Sequence, residues 1–316
     1  MTTERGLGAD AANRADAANR ADGTSRAYTI GVTGVTGNIG GAVGRLLASH
    51  GQGFRAIVRD AARVPDFAGA ATAAGRAGDV DVTVGVTEYS DARAGREALE
   101  GVDVLFMVSA AESTDRVAEH VQFIQSAIEA GVQHIVYTSF TGAGPAASFT
   151  LARDHGRTEE VIRASGLDFT FLRDNFYLDV LVAFADENGV IRGPAGDGRM
   201  AAVARADVAD AAVTVLLAPG EHRGALYELT GGETLTFGEL AERTTKATGR
   251  TVTFQNESVD EAYASRAKFN APAFMVDAWV STYTGIRDGE LETVSADVAL
   301  LTGHAPRTLE DVLAGR

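Results

Sequence analysis

The chain has 316 residues, 45% of them apolar, with no cysteine and a formal net charge of −15 at pH 7. That charge argues against nucleic acid, which needs a basic face, and against docking on an anionic membrane. Disulfides, thiolate nucleophiles and Cys-based metal sites are excluded, no apolar run is long enough to span a bilayer, and the six histidines show no HExxH-type pairing, so no metal is expected.

Residues 1–27 read as a tail. Asp10 to Asp22 carries the direct repeat AANRAD-AANRAD, which has no large apolar residue whose burial could offset the entropy of ordering. There is no apolar signal region, and the expectation is a cytoplasmic protein.

The first predicted strand, 28–33, runs into Thr29-Ile-Gly-Val-Thr-Gly-Val-Thr-Gly-Asn-Ile-Gly40, and a predicted helix follows over 39–50. A strand, glycines at 34, 37 and 40 and then a helix is the order that a dinucleotide-binding turn requires. Gly34 permits the sharp exit from the strand, Gly37 leaves room for a pyrophosphate, and Gly40 lets the helix approach the sheet. With Thr36, Asn38 and Ile39 they form the candidate phosphate cradle, at a helix N-terminus whose unpaired N–H groups favour anions.

The second predicted strand, 54–58, ends in Arg59, nineteen positions past Gly40. An acid there would grip the ribose 2′-hydroxyl of NAD; an arginine suits a 2′-phosphate through its planar fork. The expectation is NADPH, against the alternative that Arg59 is a solvated charge. Strands then follow at 80–86, 102–108, 132–138 and 167–172, and helices at 91–98, 114–130 and 153–165. This alternation predicts an α/β fold: a Rossmann-type doubly wound parallel sheet over 28–173, with a smaller α+β part over 174–316 that mainly binds substrate. Gly101 and Gly131 stand where helix C-terminal caps would fall.

Ligands in such sheets meet the carboxyl ends of the strands. That rule singles out Glu88 and Asp91 for adenine, Ser109 and Ala110 after the fourth strand, and Thr138 and Ser139 after the fifth. Asp174, Asn175, Phe176 and Tyr177 after the sixth should approach the nicotinamide and the substrate. Either serine would serve as well as a helix cap or turn former. Past 173 the alternation lapses. Phe237–Gly249 reads as a helix ending in glycine, Val252–Phe254 as a strand, and 258–284 as one helical stretch. In that stretch Met275, Trp279 and Tyr283 share a face, as a core stripe or as the lining of an apolar pocket.

These glycines, Arg59 and Tyr137-Thr138-Ser139 together resemble the short-chain dehydrogenase/reductase superfamily, and within it the NmrA-like branch and its bacterial NAD(P)H:quinone oxidoreductases. Leu151-Ala-Arg-Asp-His155 with Thr158-Glu159, Leu172-Arg173 before Phe176-Tyr177, Arg205-Ala206-Asp207 and Leu226-Tyr227-Glu228-Leu229 carry the resemblance from Tyr28 to near the C-terminus. It implies an NAD(P)H-dependent oxidoreductase, monomeric or homodimeric, with His155, Ser139 and Tyr177 nearest the chemistry. The related quinone reductases tend to carry Asn-Gly where this chain has Asp174-Asn175.

A typical member of the superfamily uses a Tyr-x-x-x-Lys pair. Here His155 falls where the lysine would stand and Leu151 where the tyrosine would. The two lysines, Lys246 and Lys268, both lie in the C-terminal third. A ketone reductase needs a general acid for its basic alkoxide; a reduced quinone is a phenolate, a far weaker base. The missing pair therefore points to a quinone or similar electron-poor, planar and apolar acceptor. His155 is open to two roles, proton donor or contact to ribose or substrate. Two further readings stay open: a tailoring reductase of ketones or imines in a specialised pathway, and a non-catalytic sensor of NADP(H).

Overall fold

A computed structural model describes residues 28–73 and 80–315; the expected tail over 1–27 lies outside the described residues. The strands are β1 (Ile30–Thr33), β2 (Phe54–Val58), β3 (Val82–Val86), β4 (Val104–Met107), β5 (His134–Phe140), β6 (Asp168–Asp174), β7 (Val190–Gly193), β8 (Ala225–Leu229) and β9 (Thr253–Asn256). The α-helices are α1 (Asn38–Ser49), α2 (Ala68–Ala73), α3 (Ala92–Leu99), α4 (Arg116–Ala130), α5 (Thr150–Ala164), α6 (Leu178–Leu181), α7 (Arg205–Leu217), α8 (Phe237–Thr248), α9 (Val259–Arg266), α10 (Ala273–Arg287), α11 (Asp297–Thr302) and α12 (Leu309–Leu313).

Seven strands form one parallel sheet in the order β3-β2-β1-β4-β5-β6-β8. The first six follow the doubly wound order, which reverses between β1 and β4 and opens a crevice at their carboxyl ends. Alternate strand residues serve opposite faces. Val32, Ala56, Phe106 and Val136 pack with Val43 and Leu47 of α1 and Val208 and Ala212 of α7. Ile57, Leu105, Met107, Ile135 and Phe171 pack with Leu99, Phe123 and Ile162 of α3, α4 and α5. All four residues of β4 are buried, as its unbroken apolar run predicted. β3, at the sheet edge, leaves Val84 and Val86 half exposed.

Two expectations are corrected. The sheet does not close its account at residue 173: the chain returns to it, adding β8 beside β6 and laying α7 against α1. The stretch 258–284 is not one helix. Asn270, in the left-handed region at φ 47°, and Pro272, which cannot continue the preceding ladder, split it into α9 and α10. A second apolar cluster joins Phe140 and Phe149, between β5 and α5, to Met200, Phe237, Tyr283 and Ile286 of the C-terminal part. That part also holds a small parallel sheet of β7 and β9. No helix among the described residues is long and apolar enough to cross a membrane.

Candidate active site

The turn after β1 has the geometry that its glycines imply. Gly34 sits at φ +66°, and a Cβ there would also meet the Val108 side chain at 3.1 Å. A Cβ on Gly40 would lie 2.5 Å from the backbone of Thr33 and Gly34, so only glycine lets α1 come this close to the strand. Gly37 is different. Its one near neighbour would be the Gly34 carbonyl at 3.3 Å, a tight contact but far milder than that at Gly40, and the residue is exposed. No side chain caps α1 and no acid stands in its first turn, so the N–H groups at this end are left for a ligand.

A cleft of about 390 Å³ opens beside this turn, at the ends of β1 to β4. Of the expected residues, Gly34, Thr36, Arg59, Glu88, Ser109 and Ala110 line it. Gly37 and Asn38 are exposed at the adjoining turn, while Ile39 and Gly40 are buried behind it. Arg59 is exposed and makes no ion pair among the described residues. Its neighbour Asp60 makes no ion pair with it and accepts the Ala62 N–H at 3.0 Å. Asp91, a candidate adenine contact, instead caps α3 by accepting the Ala94 N–H at 2.9 Å. Among the lining residues without a sequence signal are Tyr89, stacked on Phe123 with centroids 4.2 Å apart, and Ser113, whose buried Oγ has no hydrogen-bond partner among the described residues. The glycine cradle, the unpaired Arg59 and this orphaned hydroxyl fit a phosphorylated dinucleotide.

The loop after β4 is held from beneath. Thr33 Oγ1 accepts the Val108 N–H (2.8 Å), Thr138 Oγ1 the Ser109 N–H (2.9 Å), and His120 Nε2 the Ala110 N–H (2.8 Å). Arg116 Nε donates to the Ala110 carbonyl at 2.9 Å. Thr138 is thus buried and shapes the cleft from behind.

His155 is buried too. It is 7% exposed, and Arg116 Nη2 donates to its Nε2 at 3.0 Å. An arginine cannot accept, so Nε2 carries no proton; Nδ1 carries it and faces Tyr137 Oη at 3.0 Å. Burial, aided by the Arg116 charge, pushes the His155 pKa well below the ordinary histidine value. In this arrangement both ring nitrogens of His155 are engaged with the protein. His120 repeats the pattern: its Nδ1 proton goes to Thr158 Oγ1 (2.8 Å), which donates to the Asp154 carbonyl (2.9 Å). Burial lowers its pKa to about 3.

The remaining expected residues turn inward. Ser139 Oγ donates to Glu159 Oε1 at 2.6 Å, and that buried carboxylate also takes Arg173 Nε and Nη2, each at 2.7 Å. Tyr177 Oη donates to Asp174, with Arg205 5.3 Å over the Tyr177 ring. Burial raises the Asp174 pKa to about 7. Asn175 Nδ2 donates to the Leu291 carbonyl at 3.0 Å, and its Oδ1 accepts the Phe176 N–H. Ser139, Asn175 and Tyr177 are therefore all tied into the frame at the ends of β5 and β6. Phe176 joins Phe140 and Phe149 in a triangle of rings with centroids 5.0 to 5.2 Å apart. Phe140 also lies over His155, 6.2 Å away. An apolar aromatic cluster thus stands where the strand ends of β5 and β6 meet.

Known proteins share this framework. The pattern of the NmrA-like family matches residues 26–276. The chain is 35% identical over 287 residues to quinone oxidoreductase 2 of Escherichia coli (strain K12), covering 89% of this chain and 96% of that one. It is 30% identical to the NAD(P)H azoreductase of Xenophilus azovorans over 285 residues, 89% of this chain and 95% of that one. The crystal structure of the Escherichia coli NADPH-dependent quinone oxidoreductase complexed with NADPH superposes with a TM-score of 0.79 at 33% identity, over 91% of this chain and 99% of the other.

Proposed function

The chain belongs to the NmrA-like family, and on that premise we propose an NADPH-dependent oxidoreductase that delivers hydride to a quinone or similar electron-poor planar acceptor. The relatives named quinone oxidoreductase and azoreductase support the reaction class. One observation carries the reading. Beside a dinucleotide cleft, the positions of the usual tyrosine and lysine are held by Leu151 and by a histidine that the fold keeps neutral.

Each part of the site has a task. The N–H groups at the start of α1 and the space at Gly37 receive the pyrophosphate, and Arg59 pairs with the 2′-phosphate of the adenosine half. Thr33, Thr138, His120 and Arg116 fix the 108–110 loop that walls the cleft. Reduced nicotinamide, when bound, supplies the hydride. The half-buried Phe176, braced edge to face by the buried Phe140 and Phe149, offers an apolar ring beside which a planar acceptor can be oriented, and orientation of two rings lowers the barrier without any proton transfer. The phenolate formed is weakly basic, so it takes its proton from water and no side chain need donate one. One copy of the chain supplies all of these residues, so a monomer or a homodimer in the cytoplasm serves equally.

The test is NADPH consumption by the purified protein across benzoquinones, naphthoquinones and cyclic ketones. Turnover of quinones and not of simple ketones is expected. Oxidation no faster than that of the cofactor and quinone alone would overturn the reading. Tight NADPH binding without turnover on any acceptor would favour a sensor, and turnover of a complex ketone or imine alone would favour a tailoring reductase.

A further inference from the structure

A second cavity, of about 830 Å³, opens in the C-terminal part between the segment before β7, α9 and α10. Its walls include the aromatic rings of Phe184, Phe269, Trp279 and Tyr283, and its cations are Arg192, Arg266 and Lys268, against the single acid Asp186. For a chain of net charge −15 with two lysines in all, this is an unusual local excess of positive charge.

The cations are not equally free. Arg266 is buried, pairs with Glu257 at 3.0 Å and lies 5.3 Å over the Tyr283 ring. Arg192 pairs with Asp186 at 3.6 Å. Lys268 is exposed, lies 5.1 Å over the Phe269 ring and has no ion pair among the described residues. Phe269 is 59% exposed beside Trp279, with ring centroids 5.9 Å apart. Exposed aromatic surface next to an exposed ammonium that acts on the Asp186 carboxylate without an ion pair to it fits a ligand that is planar, apolar on its faces and anionic at one end.

The cavity is not the space at the β5 and β6 ends. Helix α10 meets α5 through Ser281, whose Oγ accepts the Thr150 N–H at 3.2 Å, and through Gly285, which lies against Phe149. Trp279, Thr282 and Tyr283 line the cavity. At 100° per residue these two faces of α10 stand about 130° apart. We propose that the cavity is a binding site for a small aromatic carboxylate, separate from the hydride-transfer site, with Lys268 as the charge partner and with Trp279 and Phe269, whose rings meet edge to face, as its aromatic walls.

The inference goes beyond the reductase reading, and its test does not use turnover to detect binding. Trp279 is the only tryptophan, so a ¹H–¹⁵N spectrum of the full chain holds one indole cross-peak that reports on the cavity. Calorimetry with 2-naphthoate is expected to show binding that shifts this peak. Replacing naphthoate by neutral 2-naphthamide, or Lys268→Met in the protein, is expected to weaken it about tenfold, the value of one charge-assisted contact. Naphthoate is expected not to compete with a quinone acceptor. No binding, equal affinity for acid and amide, or competition with quinone would each overturn the proposal. So would an indole peak that moves with protein concentration alone, which would assign this face to a second copy.

Discussion

Arg116 and His155 meet at 3.0 Å between Nη2 and Nε2, buried between α4 and α5, and this contact fixes which ring nitrogen carries the proton. The residue that stands in place of the family lysine is thereby spent on the frame of the site. His155→Leu leaves Arg116 and Tyr137 each short of a buried partner. The expected cost is about 2–4 kcal/mol of stability in chemical denaturation, with less than a tenfold fall in kcat for a naphthoquinone at saturating NADPH. A thousandfold fall in kcat at unchanged stability would return the proton-donor role to His155.

Arg59 gives a sharper test of cofactor choice. Removing the fork in Arg59→Ala is expected to raise KM for NADPH about 10–100-fold, the value of a bidentate charge-assisted pair, and to leave KM for NADH almost unchanged. Equal effects on the two cofactors would show that Arg59 does not read the 2′-phosphate.

Gly37 and Gly40 separate binding from folding. In Gly40→Ala the new methyl meets backbone at 2.5 Å, and α1 must shift off the sheet; a loss of about 3 kcal/mol is expected. In Gly37→Ala the closest approach is 3.3 Å, so stability should change by no more than about 0.5 kcal/mol, while NADPH affinity measured by calorimetry falls at least tenfold. A Gly37→Ala protein that binds NADPH normally would remove the pyrophosphate from this turn.

Acid sensitivity follows from two opposed groups. The folded pKa of His120 is depressed to about 3 by burial. Below the unfolded value near 6.5 the unfolded chain binds more protons, so this group's contribution is present above pH 6.5 and is lost as pH falls toward 3. Asp174 has the opposite sign. Its folded pKa is raised from 3.8 to about 7, so it weighs against the native state above pH 7, and that burden is relieved on acidification through the window from 7 to 3.8. Asp174→Asn, which keeps an oxygen to accept from Tyr177, is expected to exceed the native protein in stability at pH 8 by about 1–3 kcal/mol. That advantage should fall to about half or less by pH 5, and it vanishes only below about pH 4. Denaturation curves at the two pH values check this; a variant less stable at pH 8 would show that the carboxylate is paired and not merely buried.

The sequence by itself determined the features that short-range rules govern. The strand–glycine–helix turn, the alternation that builds a parallel sheet, and the capping glycines Gly101 and Gly131, both at positive φ, depend on neighbours a few residues apart. So does the absence of a tyrosine–lysine pair, which is a matter of spelling. Gly34, Thr36, Arg59, Glu88, Ser109 and Ala110 were legible because strand ends in this topology must converge on the crevice. What the inward-facing residues do was decided only by tertiary structure. Ser139 finds Glu159 twenty positions on, His120 finds Thr158 thirty-eight positions on, and Arg116 finds His155 thirty-nine positions on. In sequence such residues read as free catalytic groups. In the fold a buried polar atom without a partner is costly, so each is committed to another element, and the same requirement brings β8 back to the sheet edge beside β6.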